Sequence, residues 1–361
     1  MTFVSILLLI LRGFGQYERR AVMQAVGGNP SGVKKLVRRI VIGTAVFEIL
    51  GAALLSIRFI PDYGTGQGIW YSFFHSISAF CNAGFDLFAG TELGTGSLSH
   101  YAGDPLVSLT ICALIIVGGL GFCIWGDVLD CRLRFKKFQF YTKAILIVNT
   151  LLLAVGTLLY MLFEWESAYA GMDFGEKLLA AFFSSTTART AGFYTVDPIT
   201  MSDSGYLLTV ILMFIGGSSG STAGGIKVGT FTVIVMGMVA AFRSSRDLNI
   251  GNRRVDTKLL YQALGIFVAY LFLILTATMI ICAIEPDGPN TFAQTLFEAA
   301  SALGTVGLSM GYTATLSWAS KLVLITLMYA GRAGVLTLVF ALSKKRDSAE
   351  IRRPIDSFFI G

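Results

Sequence analysis

Apolar residues run in long blocks near 40–60, 106–126, 142–163, 206–242, 259–284 and 319–342. Each is long enough for the ~20 helical residues that a bilayer crossing requires. Between them lie shorter apolar segments at 69–81, 175–188 and 291–303, too brief to cross. Each short segment leads into a glycine motif: CNAGF at 81–85, TARTAGF at 187–193 and LGTVGLS at 303–309. Gly84, Gly192 and Gly307 are 108 and 115 residues apart, the fixed long period of an internal repeat. The unit is helix, short re-entrant segment, glycine motif, helix. A short helix followed by a loop at membrane depth is tolerated only where protein buries it or where it lines a cavity. The pattern predicts an all-α polytopic membrane protein of helix–pore loop–helix repeats, with a filter of backbone carbonyls. The same period places a further copy about 110 residues before Gly84, ahead of Met1.

Composition sharpens the membrane reading. Only 14% of the 361 residues are charged and the mean hydropathy is +0.70. Soluble domains carry about 25% charged residues. The charges also sort by segment. Residues 12–39, 127–143, 227–258 and 343–353 hold 23 of the 28 Lys and Arg. The intervening loops hold acids, among them Asp62, Asp104, Glu164, Asp197 and Glu285. Basic loops stay in the cytoplasm, so the glycine motifs face outward, and the acids would concentrate cations at the mouth. The net charge of +6 therefore reflects orientation, and nucleic acid is not expected as a partner. Five cysteines without CxxC spacing and two histidines predict neither a disulfide framework nor a metal cluster. No nucleophile–base pair converges in sequence, so no enzyme is expected. Residues 1–11 lack a basic start and a cleavage site, and read as the end of a helix whose beginning is absent.

The candidate chemistry is desolvation of potassium by carbonyl oxygens. Carbonyls that point into one channel demand backbone angles that glycine adopts freely. The filter candidates are Asn82, Ala83 and Gly84; Thr190, Ala191 and Gly192; Thr305, Val306 and Gly307. The competing reading is close helix packing through small residues, and it applies most to Gly118, Gly119 and Gly121. Segment 216–227 holds Gly216, Gly217, Ser218, Ser219, Gly220, Ser221, Thr222, Ala223, Gly224, Gly225, Ile226 and Lys227. That composition opposes a straight helix and predicts a flexible, hydrogen-bonding break below the filter. It is no phosphate-binding loop, because Ile226 separates Gly225 from Lys227. Arg332 lies in the last apolar block, 14 residues after Trp318. At 1.5 Å per residue this is ~21 Å along, near mid-membrane, where an arginine faces a cavity or a partner. It is either a cationic barrier under the filter or a structural ion pair, with Glu298 or Glu48. Glu298 and Arg189 are expected to brace the filter, and His75 to pack.

With these motifs in this order, the chain resembles the Trk/Ktr/HKT superfamily of potassium transporters, most of all the Ktr-type bacterial membrane subunit. GGSSGSTAGGIK at 216–227, GGLGF at 118–122 and GRAGVLT at 331–337 add to the resemblance, which covers essentially the whole chain. It implies four pseudo-fourfold repeats around one pore. Residues 1–39 would be the end of a truncated first repeat with a cytoplasmic linker, 40–135 the second repeat and 136–257 the third. Residues 258–343 would be the fourth and 344–361 a cytoplasmic tail. Segment 216–227 would be the gating loop. The implied activity is potassium uptake across a bacterial cytoplasmic membrane, with sodium dependence common in the family. The implied partners are membrane lipid, a second copy and a cytosolic ring of nucleotide-binding subunits, so nucleotide is expected on that ring and no cofactor in this chain. Residues 12–39, 243–258 and the tail are candidate docking surfaces. The alternative is a non-conducting chain that lacks a complete fourfold filter.

Overall fold

The structure, a computed structural model, describes residues 33–88, 96–132, 134–244, 248–250, 253–285 and 291–334. The expected end of a first repeat, up to residue 32, and the expected tail 344–361 lie outside these residues. Three long helices are apolar enough to cross a membrane: α1 (Val33–Tyr63), α5 (Phe140–Phe163) and α9 (Thr257–Ile284). Each is followed by a shorter helix that packs back against it: α2 (Thr65–Phe80), α6 (Phe174–Thr187) and α10 (Thr291–Gly304). These have 16, 14 and 14 residues. At 1.5 Å per residue they reach ~21–24 Å, short of the ~30 Å hydrocarbon core. They are the re-entrant segments, and each ends at a glycine motif.

The return helices of the first two described repeats are interrupted. In the first described repeat, α3 (Pro105–Gly119) is followed by α4 (Phe122–Asp130) after a 93° bend. Gly121 sits in that bend at φ +90°. In the second, α7 (Asp203–Phe214) gives way to the 216–227 loop before α8 (Val228–Phe242). In the third, a single-turn helix α11 (Tyr312–Thr315) precedes α12 (Trp318–Ala333), which stops at Gly334 with φ +82°. The apolar blocks at 106–126 and 206–242 therefore do not cross as single helices. Apolarity sets membrane depth, whereas glycine at positive φ ends the helix inside it. One departure from all-α is a hairpin between α8 and α9, where β1 (Leu248–Ile250) pairs antiparallel with β2 (Arg253–Val255).

Three hydrophobic clusters are centred on the three repeats, and the second repeat contributes Phe183 and Phe193 to the first cluster and Met213 and Ile226 to the third. Leu55, Phe59, Phe80 and Ile111 pack in the first, Tyr160, Ala181, Leu208 and Leu212 in the second, and Ile274, Phe297, Leu303 and Leu327 in the third. Small residues let the re-entrant helices approach closely. A Cβ on Gly51 would lie 2.5 Å from Ser76 Oγ, and one on Gly156 would lie 2.4 Å from Ser185 Oγ. The outward faces of the long helices carry exposed Ile42, Leu50, Ile57, Leu151, Leu158, Phe272 and Met279, an apolar belt suited to lipid.

Candidate functional site

At the C-terminal end of each re-entrant helix the backbone turns in the same way three times. Asn82, Thr190 and Thr305 have φ of 50°, 76° and 52°, and the glycine two residues on, Gly84, Gly192 or Gly307, has φ of 70°, 91° or 95°. Ala83, Ala191 and Val306 between them keep negative φ. Alternating handedness turns successive peptide planes the same way, which sets neighbouring carbonyls on one side of the strand. A β-branched threonine at positive φ is a strained outlier and persists only where its surroundings impose it. Hydrogen bonds hold the turn from behind: Ala83 N–H donates to Ser78 O, Ala191 N–H to Thr187 O and Val306 N–H to Ser301 O. Among the described hydrogen bonds, none ends on a carbonyl oxygen of the nine strand residues. Buried carbonyls are rarely left unpaired, so this set is available to a ligand.

The three strands meet. A Cβ on Gly84 would lie 2.4 Å from Ala191 O and 2.8 Å from Gly192 Cα. One on Gly192 would lie 2.4 Å from Val306 O, 3.2 Å from Gly84 Cα and 3.4 Å from Gly307 Cα. Gly192 therefore lies against both Gly84 and Gly307, which brings the three strands together.

The 216–227 loop lies directly beneath. Gly216–Ser218 and Ser221–Ile226 are buried, while Ser219 is exposed. The expected flexible break is instead bonded to every repeat. Thr222 Oγ1 donates toward Phe80 O (3.1 Å) and Gly118 O (3.0 Å) in the first. Gly224 N–H donates to Thr190 Oγ1 in the second, at 3.3 Å. In the third, a Cβ on Gly224 would sit 1.9 Å from Thr305 Oγ1. Two cations hold the loop's carbonyls: Lys227 Nζ donates to Ala223 O (2.7 Å) and Arg332 Nη1 to Thr222 O (3.0 Å). Arg332 thus ends in the last turn of α12 against the loop, and the ion pair with Glu298 or Glu48 is not formed.

Glu298 has other partners. Its carboxylate accepts from Ser309 Oγ (2.6 Å), Met310 N–H (3.0 Å) and Thr313 Oγ1 (2.6 Å), fixing the segment after Gly307. His75 does the equivalent in the first repeat. Its Nδ1 lies 2.7 Å from Tyr71 O and so carries the proton, which leaves Nε2 to accept from Leu87 N–H at 3.4 Å. Arg189, 8% exposed, donates through Nη2 to Asn149 Oδ1 and, at 3.3 Å, to Gly216 O. Asn149 Nδ2 donates onward to Ser218 Oγ (3.3 Å) and Ile145 O (2.8 Å). Asn82 and Arg189 also line a cavity of about 20 Å³, room for one water.

The sequence reading missed Asn149, because a lone asparagine in an apolar helix carries no spacing signal. The acids of the outer loops have partners that spacing does not reveal. Glu164 is 0% exposed and accepts from Ser202 N–H, Ser202 Oγ and Ala168 N–H. Asp104 and Asp62 face Arg58 at 3.0 and 3.7 Å, and Glu285 accepts from Ser317. These four hold the outer segments in place.

Three repeats of membrane helix, re-entrant helix and return helix, converging through turns of alternating handedness, define a polytopic α-helical membrane protein. The chain belongs to the TrkH family of cation transport proteins, whose profile matches residues 1–353. It is 40% identical over 335 residues to the potassium/sodium uptake protein NtpJ of Enterococcus hirae, covering 92% of this chain and 73% of that protein. It is 38% identical to the Ktr system potassium uptake protein B of Bacillus subtilis, covering 100% of this chain and 80% of that protein. In fold it is similar to the crystal structure of the potassium transporter TrkH from Vibrio parahaemolyticus, with a TM-score of 0.66 at 19% identity over 90% of this chain and 68% of that one.

Proposed function

We propose that the chain is the ion-translocating subunit of a Ktr-like potassium uptake system in a bacterial cytoplasmic membrane. The names of its potassium-uptake relatives and its family support the substrate. The observation that carries the reading is the threefold turn at 82–84, 190–192 and 305–307, which leaves nine carbonyls without a described partner. Such carbonyls replace an ion's water, and potassium stands as the transported ion. In this reading the strands form the selectivity filter, the 216–227 loop the gate, and Arg332 a cationic barrier held to that gate through Thr222. The glycine motifs face outward, as the distribution of basic loops implies. The subunit works as a homodimer on a cytosolic nucleotide-binding ring; the Ktr system names of its relatives support work alongside other components. Sodium enters as coupling ion in line with the potassium/sodium name of one relative.

The close approach of Gly192 to both Gly84 and Gly307 favours a second reading, a non-conducting assembly partner that lacks a complete fourfold filter. Rubidium uptake in a potassium-uptake-deficient bacterium separates the two. Uptake that saturates, depends on Gly192 and responds to sodium establishes transport. Membrane-inserted, dimeric protein without uptake establishes the second reading.

A further inference from the structure

A lateral groove of about 370 Å³ opens between the first turns of α5, the upper part of α8 and the first turns of α9. Its walls are apolar, with Ile145, Val233, Met236, Leu259 and Ile266 among them. One end reaches the intramembrane loop at Ser219, the exposed residue of that segment, beside Tyr141 in the first turn of α5. Bases flank the groove. Lys258 directly precedes the lining residue Leu259 and is exposed, as are Lys136 and Lys137 in the turn before α5. Lys143 adds a fourth ammonium on the first turn of α5, with Nζ 2.8 Å from Lys136 O. The nearby acids are engaged: Asp130 pairs with Arg39, Asp127 accepts from Gln139 N–H, and Asp256 caps α9. An apolar slot flanked by bases at the membrane boundary matches one chemistry, an acyl chain below an anionic headgroup.

The geometry points to a site for an anionic phospholipid whose acyl chain occupies this groove and bears on the loop through Tyr141 and Ser219. The inference rests on the membrane placement and the cytoplasmic assignment of the basic loops given above. It makes the loop responsive to lipid charge in addition to any regulator. Gly229 offers a handle: a Cβ there would meet Tyr141 and Ile145 at 3.7–3.8 Å, ordinary contact that points into the groove. Gly229→Ala should therefore be tolerated, and Gly229→Phe should fill the slot.

The test is native mass spectrometry of protein released from membranes and exchanged into vesicles of phosphatidylglycerol or phosphatidylcholine. This readout does not depend on transport, so its failure is distinct from a failure of the uptake reading. Retention of phosphatidylglycerol at least tenfold over phosphatidylcholine is expected. It should fall at least threefold in Lys136→Gln/Lys258→Gln, which leaves the groove intact, and at least tenfold in Gly229→Phe with Gly229→Ala unchanged. Equal retention of both lipids by the parent chain, or full phosphatidylglycerol retention in the lysine variant, overturns the proposal. Dissociation of a dimer by Gly229→Phe without loss of lipid overturns it in favour of a second copy as the occupant.

Discussion

Replacing Asn149 by leucine is the sharpest test of how the strands and the loop are coupled. The change keeps side-chain volume while removing both polar atoms. Asn149 accepts from the Arg189 guanidinium and donates to Ser218 Oγ at 3.3 Å, so it links the residue before Thr190 to the loop. A hydrogen bond to a charged group is worth about 1.5–3 kcal/mol, and the long bond to serine about 0.5 kcal/mol. The expected loss is about 2–3.5 kcal/mol, or roughly 30- to 300-fold in the balance between an engaged and a released loop. Arg189 keeps Gly216 O as a partner, so the fold survives. Two readouts follow. Thermal unfolding in detergent should fall by about 4–7 °C at ~2 °C per kcal/mol. Rubidium flux should become less dependent on the regulator. In a double-mutant cycle, Asn149→Leu and Arg189→Gln should couple by about 1.5 kcal/mol or more. Additive effects, or an unchanged Tm together with unchanged flux, would refute the argument.

Three further outcomes follow from the same geometry. Gly192→Ala places a Cβ 2.4 Å from Val306 O at φ +91°, so that carbonyl must retreat by ~1 Å to regain ordinary contact. Uptake should fall more than tenfold, whereas Gly307→Ala, whose Cβ would meet only Gly192 Cα at 3.6 Å, should lose less; equal losses would show that crowding is not the cause. Arg332→Ala removes the donor to Thr222 O and should raise cation flux in a protein that still folds; folded protein with unaltered flux would remove the barrier role. Bonds from Ser320 and Ser317 hold Glu285 below the ordinary carboxylate value of 4.5. Its folded pKa is depressed, so its contribution is present above 4.5 and is lost as pH falls through the lowered value. Glu285→Gln should flatten the acid limb of a stability–pH curve, and an identical limb would exclude it as a contributor.

The glycine motifs were legible in sequence because positive φ is a backbone demand that glycine meets and most residues do not. Gly84, Gly192 and Gly307 announced themselves that way. Asn82, Thr190 and Thr305 were filter candidates by their place beside those glycines, but their left-handed conformation, which asparagine tolerates and β-branched threonine resists, is visible only in the fold. Helix breaks were visible where glycines cluster, as at 216–227, yet the same apolar blocks read as continuous crossings elsewhere. Long-range bonds such as Arg189 to Asn149, 40 residues apart, leave no local trace. The acids are a parallel case: charge sorting finds Glu164 in a loop, but only packing reveals that Ser202 and Gly205 enclose its carboxylate.

Hydrophobic packing already crosses the repeat boundaries, since Phe183 and Phe193 of the second repeat pack into the first cluster and Met213 and Ile226 into the third. The loop tightens that coupling. It touches Phe80 and Gly118 of one copy, Thr190 of its own and Thr305 and Arg332 of the last. A change at any of these positions is felt by the same few residues, so permitted substitutions at one depend on the residues at the others. Across descendants of a common ancestor, these sites should therefore change in concert.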